Sequence, residues 1–395
     1  MADHDDDNHA LVFGATGLLG WGVLEQLLAG YPHKGAFSTV TAVVRRTPAG
    51  GAAELGLSPA EEFRLAGGVD LLAEEVDLAR RLRERVPGVE RTTHVFYYVF
   101  TALTDDEVRE VEINRNMLQR VVDALNVVSP RLRSFVYAGG TKQYGIYAPG
   151  GTWSAPLEES MTERLQPETM PSCVYPAHRR VLTEASRGRD WVWTELCPDA
   201  VVGFSPFGAA FSLALHWAQY LSLYAAKEGA GAIVSFPGRV AAYEAKFTPV
   251  SSRILGRASI YTGLRHLLPD HGGVDGKVIN VADSATPVCF RQLWPEVAAW
   301  FGLVGVAPDD EATRPKPGAY LDQHGALFAA RGKPRALARG VGAGRDRLDS
   351  VGWWLTFDRF MTLGRLRDMG FVEERGLVDG WYETFERLRE ADIIL

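Results

Sequence analysis

Three glycines near the amino terminus stand as G-x-x-G-x-x-G in Gly14-Ala15-Thr16-Gly17-Leu18-Leu19-Gly20. An apolar run over 10–15 leads into them, and Leu18, Leu19, Val23, Leu24, Leu27 and Leu28 follow at helical spacing. Strand, tight turn and helix in that order aim backbone N–H groups from a helix N-terminus, where a pyrophosphate is held. The glycines permit the turn, close approach of the backbone to phosphate, and close packing of helix on strand. Gly14, Thr16, Gly17, Leu18, Leu19 and Gly20 are therefore the expected phosphate contacts of a dinucleotide. A loop needing only a positive φ would carry the same glycines, but without the strand before and the helix after.

A second strand, at about 39–44, ends in Arg45 and Arg46, where an acidic residue would hold the ribose hydroxyls of NAD. Two guanidinium groups there suit a 2′-phosphate, which their planar forks pair bidentately, and so point to NADPH/NADP+; the alternative for either one is a solvated loop charge. The apolar run 63–69 ends in Asp70, which reads either as an acceptor for the adenine amine or as a helix cap for 71–85. A fourth strand over 94–99 brings Val99 to the cofactor and Phe100 to the substrate pocket. The helix over 108–128 carries Asn114, readable as a buried polar residue bonded to backbone.

A fifth strand, 133–138, opens into Gly139-Gly140-Thr141-Lys142-Gln143-Tyr144. Carbonyl chemistry beside a nicotinamide needs an acid at the substrate oxygen and a cation that lowers the acid's pKa and holds the ribose. In short-chain dehydrogenases these are a tyrosine and a lysine four residues later. Tyr175 stands in Cys173-Val174-Tyr175-Pro176-Ala177-His178-Arg179, where a helix along the fifth strand begins, but the fourth residue after it is Arg179. Lys142, on a loop at the sheet's carboxyl edge, is the substitute. His178 reads as a packed or capping group before it reads as a proton shuttle. Tyr144 is assigned to the substrate pocket and Tyr147 to the loop surface.

With the rest of the chain, these departures resemble the progesterone 5-beta-reductase and iridoid synthase-like enzymes, an atypical extended branch of the short-chain dehydrogenases. The resemblance runs through 10–20, 43–46, 93–97, 140–144, 198–206 and the motif Asp349-Ser350-Val351-Gly352-Trp353-Trp354. It implies reduction of activated C=C bonds with NADPH, Lys142 being the lysine of a G-x-K-x-Y segment and the acid a tyrosine of an N-F-Y-Y motif. That motif is Ser172-Cys173-Val174-Tyr175 here, which leaves one tyrosine, Tyr175. Gly139 replaces a hydroxyl residue before the lysine, and His178 and Arg179 replace an acidic pair, turning the local charge from negative to positive. The resemblance further implies that Pro198, Ala200 and Val201 cover the nicotinamide, the last two through backbone contacts to its amide. Phe204 is assigned to the substrate pocket. Phe211, Leu215, Trp217, Leu221 and Tyr224 make the next helix apolar enough for a pocket wall, Trp217 included, although a core helix looks the same.

Composition narrows the rest. A net charge of -7, with arginine-rich stretches interleaved with acids, argues against a nucleic-acid surface. Three scattered cysteines supply neither a disulfide framework nor a metal cluster, and fit a reducing, cytoplasmic setting. Residues 1–10 are acidic and polar, unlike a secretory signal, and the apolar run 208–226 contains His216 and Gln219 without flanking basic clusters. The expected architecture is α/β: a doubly wound parallel (Rossmann) sheet over 1–205, with strand 277–283 returning to it, and a smaller, mostly helical substrate lobe over 206–395. Residues 307–344, polar and rich in Gly, Pro and Arg, read as a loop-rich excursion, and the stretch from Trp353 to Leu388 as helical. The function that follows is NADPH-dependent 1,4-reduction of a small carbonyl substrate in secondary metabolism, without a metal, nucleic acid or membrane span, and with a homodimer left open. Alternatives are a cyclase or isomerase retaining NADP, a carbonyl reductase, or a non-catalytic NADP sensor.

Overall fold

The computed structural model describes residues 7–57, 60–73, 77–103, 106–209, 211–269, 273–309, 316–334, 336 and 352–395. Residues 349–351 of the carboxyl-terminal motif and all of 337–344 lie outside the described residues.

The strands are β1 (His9–Phe13), β2 (Thr39–Val43), β3 (Phe63–Ala66), β4 (His94–Tyr97), β5 (Ser134–Ala138), β6 (Val192–Pro198), β7 (Val201–Val202), β8 (Ile233–Ser235), β9 (Val250–Ser251), β10 (Lys277–Val281) and β11 (Val304–Val306). Seven of them form one parallel sheet in the order β10-β6-β5-β4-β1-β2-β3. In the centre, Leu11 of β1 is in register with Thr41 of β2 and Val95 of β4. Strand order reverses between β1 and β4, and the carboxyl ends of those strands bound the crevice where such sheets bind ligands.

The helices are α1 (Leu18–Leu28), α2 (Leu78–Arg85), α3 (Glu107–Val128), α4 (Val174–Ser186), α5 (Leu213–Glu228), α6 (Val240–Glu244), α7 (Ser252–Leu264), α8 (Phe290–Trp300), α9 (Pro317–His324), α10 (Ala326–Ala330), α11 (Gly364–Asp368) and α12 (Asp379–Glu390). The two-residue period of β1 shows how they cover the sheet. Ala10 and Val12 pack with α1 and α7 on one face, while Leu11 and Phe13 pack with α2, α3 and α4 on the other. Both faces are covered, which is why all five residues of β1 are buried. α1 and α7 cross closely, since a Cβ on Gly256 would stand 2.7 Å from the Gly22 carbonyl oxygen. The chain thus returns to the Rossmann sheet twice after residue 206, with α7 as well as with β10.

A second apolar cluster joins α5, α8, α9, α10 and α12 around Trp217, Phe236, Phe290 and Trp294. Trp217 packs edge-on against Trp294 at 5.3 Å, and the Trp294 indole N–H donates to the Val234 carbonyl at 3.0 Å. The expected loop-rich excursion contains two helices, α9 and α10. Their Tyr320, Leu321 and Phe328 are buried, and Tyr320 stacks on Tyr224 of α5 at 5.4 Å. With eight and five residues, they are too short to show a period among glycines and prolines. The final stretch is likewise not one helical run. Leu157 N–H donates to the Phe360 carbonyl and Arg359 N–H to the Lys246 carbonyl, so backbone around 359–362 is spent on other segments and, among the described residues beyond it, only α11 and α12 are helical. No described helix is long and apolar enough to cross a membrane.

Asp283 joins β9 to the segment before α12: its carboxylate accepts from the Ser251 N–H at 2.8 Å and hydroxyl at 2.7 Å, and its carbonyl accepts from Arg375 N–H. Burial pushes its carboxyl up from 3.8 to about 6. A raised carboxyl favours the folded state when protonated, so this contribution is complete below about 3.8 and lost as pH rises through about 6. Asp283→Asn is expected to remove about 2 to 3 kcal/mol of that slope, measured as urea unfolding at pH 4 and pH 7.

Candidate active site

The turn after β1 is held open by two absent methyl groups. Gly14 has φ +76°, and a Cβ there would lie 2.3 Å from the Tyr98 carbonyl oxygen at the end of β4. One on Gly20 would lie 2.3 Å from the Gly14 carbonyl oxygen. The turn can therefore lie against β4, and α1 can settle on the turn, only with glycine at both places. Gly17 caps α1 without a side-chain bond, and the first intrahelical bond is Trp21 N–H to the Gly17 carbonyl. Donors in the first turn, at Leu18 to Gly20, are those a helix leaves for an anion. This cradle, which a side chain would fill, fits a pyrophosphate. The Ser205 hydroxyl donates to the Thr16 carbonyl at 2.8 Å and ties 203–206 to the turn.

Arg45 and Arg46 follow β2 with both side chains exposed and unpaired among the described residues. Asp70 accepts from the Leu72 N–H at 3.0 Å and so caps its own turn. The helix cap is instead Asp77, at the start of α2, which accepts from Arg80 N–H. After β4, the Tyr98 hydroxyl meets the Ser259 hydroxyl at 2.5 Å, Val99 is half-buried, and the exposed Phe100 ring packs edge-on to Phe211 at 6.1 Å. Asn114 is fully buried: its amide both accepts from Thr101 N–H and donates to the Thr101 carbonyl at 2.8 Å, and with Glu110, which accepts from Leu103 N–H, it fixes the loop bearing Phe100.

Lys142 lies in a single 3-10 turn, Thr141–Tyr144, directly after β5, and Tyr175 in the first turn of α4. A Cβ on Gly140 would be 2.6 Å from the Tyr175 hydroxyl, so that hydroxyl rests against Gly140, two residues before Lys142. The Lys142 ammonium is 3.2 Å from Glu107 at the start of α3, an ion pair whose acid is largely exposed and holds the lysine only weakly. Burial, then Cys173 and Cys197, push the Tyr175 phenol well above its ordinary value. It stays protonated throughout the neutral range, so its hydroxyl keeps a hydrogen to donate in a hydrogen bond.

Burial bears on three of the sequence assignments. Tyr144 is 1% exposed and donates to Asn280 of β10 at 2.8 Å, so it belongs to a small core cluster with Ile146 and Leu157. Phe204 packs edge-on to Trp21 at 5.0 Å, and Trp217 is wholly enclosed in the second cluster. His178 is enclosed between α4 and β5 with its ring 5.8 Å from Tyr137, and burial depresses it to about 4, which leaves it neutral. Pro198 ends β6, and Ala200 and Val201 follow it, Val201 in β7, with the Ala200 carbonyl taken by Val250 N–H.

Sequence reasoning missed two buried charges beneath this edge. Glu195, in the middle of β6, pairs with Arg179 at 3.1 Å, and Asp199 pairs with Arg359 at 3.2 Å while accepting from the Thr141 hydroxyl at 2.9 Å. The available signal was Glu195 itself, a lone charge in the strand Val-Trp-Thr-Glu-Leu-Cys-Pro.

A doubly wound parallel sheet with a glycine cradle at the switch point and a tyrosine and lysine at the end of β5 is the plan of a short-chain dehydrogenase/reductase. The chain belongs to the PRISE-like Rossmann-fold domain family, whose pattern matches residues 10–395. It is similar to the short chain dehydrogenase sirQ of Leptosphaeria maculans, 29% identical over 98% of this chain and 97% of that one. It also resembles the short chain dehydrogenase sirS of the same organism, at 35% identity over 76% and 73% of the two chains. Among solved structures, UDP-glucose 4-epimerase of Thermus thermophilus, determined in complex with NAD, shares the fold with a TM-score of 0.60 at 16% identity, over 96% of this chain and 99% of that one.

Tyr144→Phe is expected to lower stability by about 1 to 2 kcal/mol through the unpaired Asn280 acceptor, read as a shift of the denaturant midpoint, while leaving ligand binding at the strand ends unchanged.

Proposed function

We propose that this chain is an NADPH-dependent reductase of the activated C=C bond of small enones and enals, in secondary metabolism. The observation that carries the reading is the Tyr175 hydroxyl lodged on Gly140 at the carboxyl end of β5, held protonated, with Lys142 on the adjoining turn. The relatives named short chain dehydrogenases support the same class.

Gly14 to Gly20 hold the pyrophosphate on the first turn of α1, Arg45 and Arg46 the 2′-phosphate, and Asp70 the adenine amine through the oxygen its turn does not use. Pro198, Ala200 and Val201 cover the nicotinamide amide. NADPH, when bound, supplies the hydride that the substrate β-carbon receives. Tyr175 donates its hydrogen bond to the substrate carbonyl oxygen, where negative charge develops, and this donor costs no reorganisation because packing already fixes it. Lys142 leaves Glu107 to hold the ribose and adds positive charge beside the phenol. Phe100 stands at the open side of the pocket. The described residues up to 205, with α7 and β10, make the sheet body, and the other described residues of 206–395 make the substrate lobe.

Isothermal titration should show NADP+ binding at least about 10-fold tighter than NAD+, with Arg45→Ala plus Arg46→Ala erasing the preference; equal affinities would reject the 2′-phosphate assignment. On a panel of cyclic enones, small enals and simple ketones, NADPH oxidation should occur with the first two, and Tyr175→Phe or Lys142→Ala should cut kcat by about 100-fold or more. Tight NADPH binding with no consumption on the whole panel would end the reductase reading, and consumption with ketones alone would move it to carbonyl reduction.

A further inference from the structure

Beneath Lys142 and Tyr175 three side chains close a triangle. Glu195 of β6, with no exposed surface, accepts from the Gln143 amide on one carboxylate oxygen at 2.7 Å and from Arg179 on the other at 3.1 Å. Arg179 also donates to the Gln143 carbonyl oxygen at 2.7 Å and, through its second amino group, to the Thr162 carbonyl at 2.9 Å. The Tyr137 hydroxyl donates to Glu195 as well. A Cβ on Gly139 would lie 2.1 Å from Glu195 Oε1, so the carboxylate occupies the space a side chain at 139 would take.

Each corner belongs to a different segment: β6, the turn Thr141–Tyr144, and α4. Gln143 adjoins Lys142, and Arg179 lies one turn beyond Tyr175 on the same helix face. The position that normally supplies the ribose-binding lysine after the tyrosine is thus spent inward, on the protein itself. Burial works against the Arg179 guanidinium, but Glu195, with Tyr137 and Cys173 beside it, more than offsets burial and keeps the charge in place. A buried ion pair of this kind adds little net stability over apolar residues of equal volume, so its use has to be sought in registry.

We infer that Glu195 is a positioning residue: through Gln143 and Arg179 it sets the separation between the Lys142 ammonium and the Tyr175 hydroxyl. The inference rests on the reductase reading for its kinetic consequence. A misplacement on the order of 1 Å at such a pair can cost about 100-fold in rate.

The test compares Glu195→Gln, and the double variant Glu195→Leu with Arg179→Met, against the parent. Both are read by thermal melting, NADPH affinity, enone kinetics, and the fluorine NMR signal of 3-fluorotyrosine incorporated at position 175. The double variant removes the charges together and keeps volume, so it remains informative if Glu195→Gln fails to fold. The expected result is a folded double variant with NADPH affinity within about threefold of the parent, kcat lowered about tenfold or more, and a displaced fluorine signal. A kcat within about twofold of the parent and an unmoved signal would overturn the inference. Should the parent reduce no enone at all, the reductase reading falls by itself, and the fluorine signal still decides: displaced, Glu195 positions Tyr175; unmoved, it does not.

Discussion

The Tyr98 carbonyl oxygen occupies the space that any side chain at Gly14 would need, and the site follows from that contact. It brings the first turn down onto the end of β4, next to β1 at the point where strand order reverses. It also fixes where α1 starts and which way its first-turn donors face. Gly20 repeats the constraint six residues later, against the Gly14 carbonyl. With α1 seated, α7 can cross it at Gly22 and Gly256, and Ser205 can reach the Thr16 carbonyl to bring the segment after β6 over the crevice. One close backbone approach thus sets the shape of the cleft.

Electrostatics then stiffen the turn after β5. Glu195 with Arg179 and Asp199 with Arg359 are buried pairs, and both touch the turn that carries Lys142, through Gln143 and Thr141. Unpaired, each charge would cost several kcal/mol in such surroundings, so every partner is held in one place. By contrast, Arg45 and Arg46 after β2 are exposed, and Lys142 has an exposed partner. The arrangement separates charges that hold the backbone from charges that are exposed or loosely paired.

The aromatic side chains divide in the same way. Trp217, Phe236, Phe290 and Trp294 bury one another and give the second lobe its core. Phe100 with Phe211, and Tyr147 with Trp354, meet as exposed edge-on pairs at 6.1 and 6.4 Å. All are apolar rings in sequence, and only their neighbours distinguish scaffold from surface.

The doubly wound sheet, the glycine turn and the placement of Lys142 and Tyr175 near one strand end could all be read from the chain, because each is local. A strand's period, a glycine spacing and a helix start depend on residues within a turn or two of one another. What tertiary structure decided was which side chains are enclosed. Tyr144 and Trp217 look like pocket residues until Asn280, more than a hundred positions from Tyr144, and Trp294 close over them. Glu195 looks like an anomaly in an apolar strand until Arg179 and Gln143 arrive from a helix and a turn. Burial and charge pairing are set by contacts distant in sequence, and no periodicity reports them.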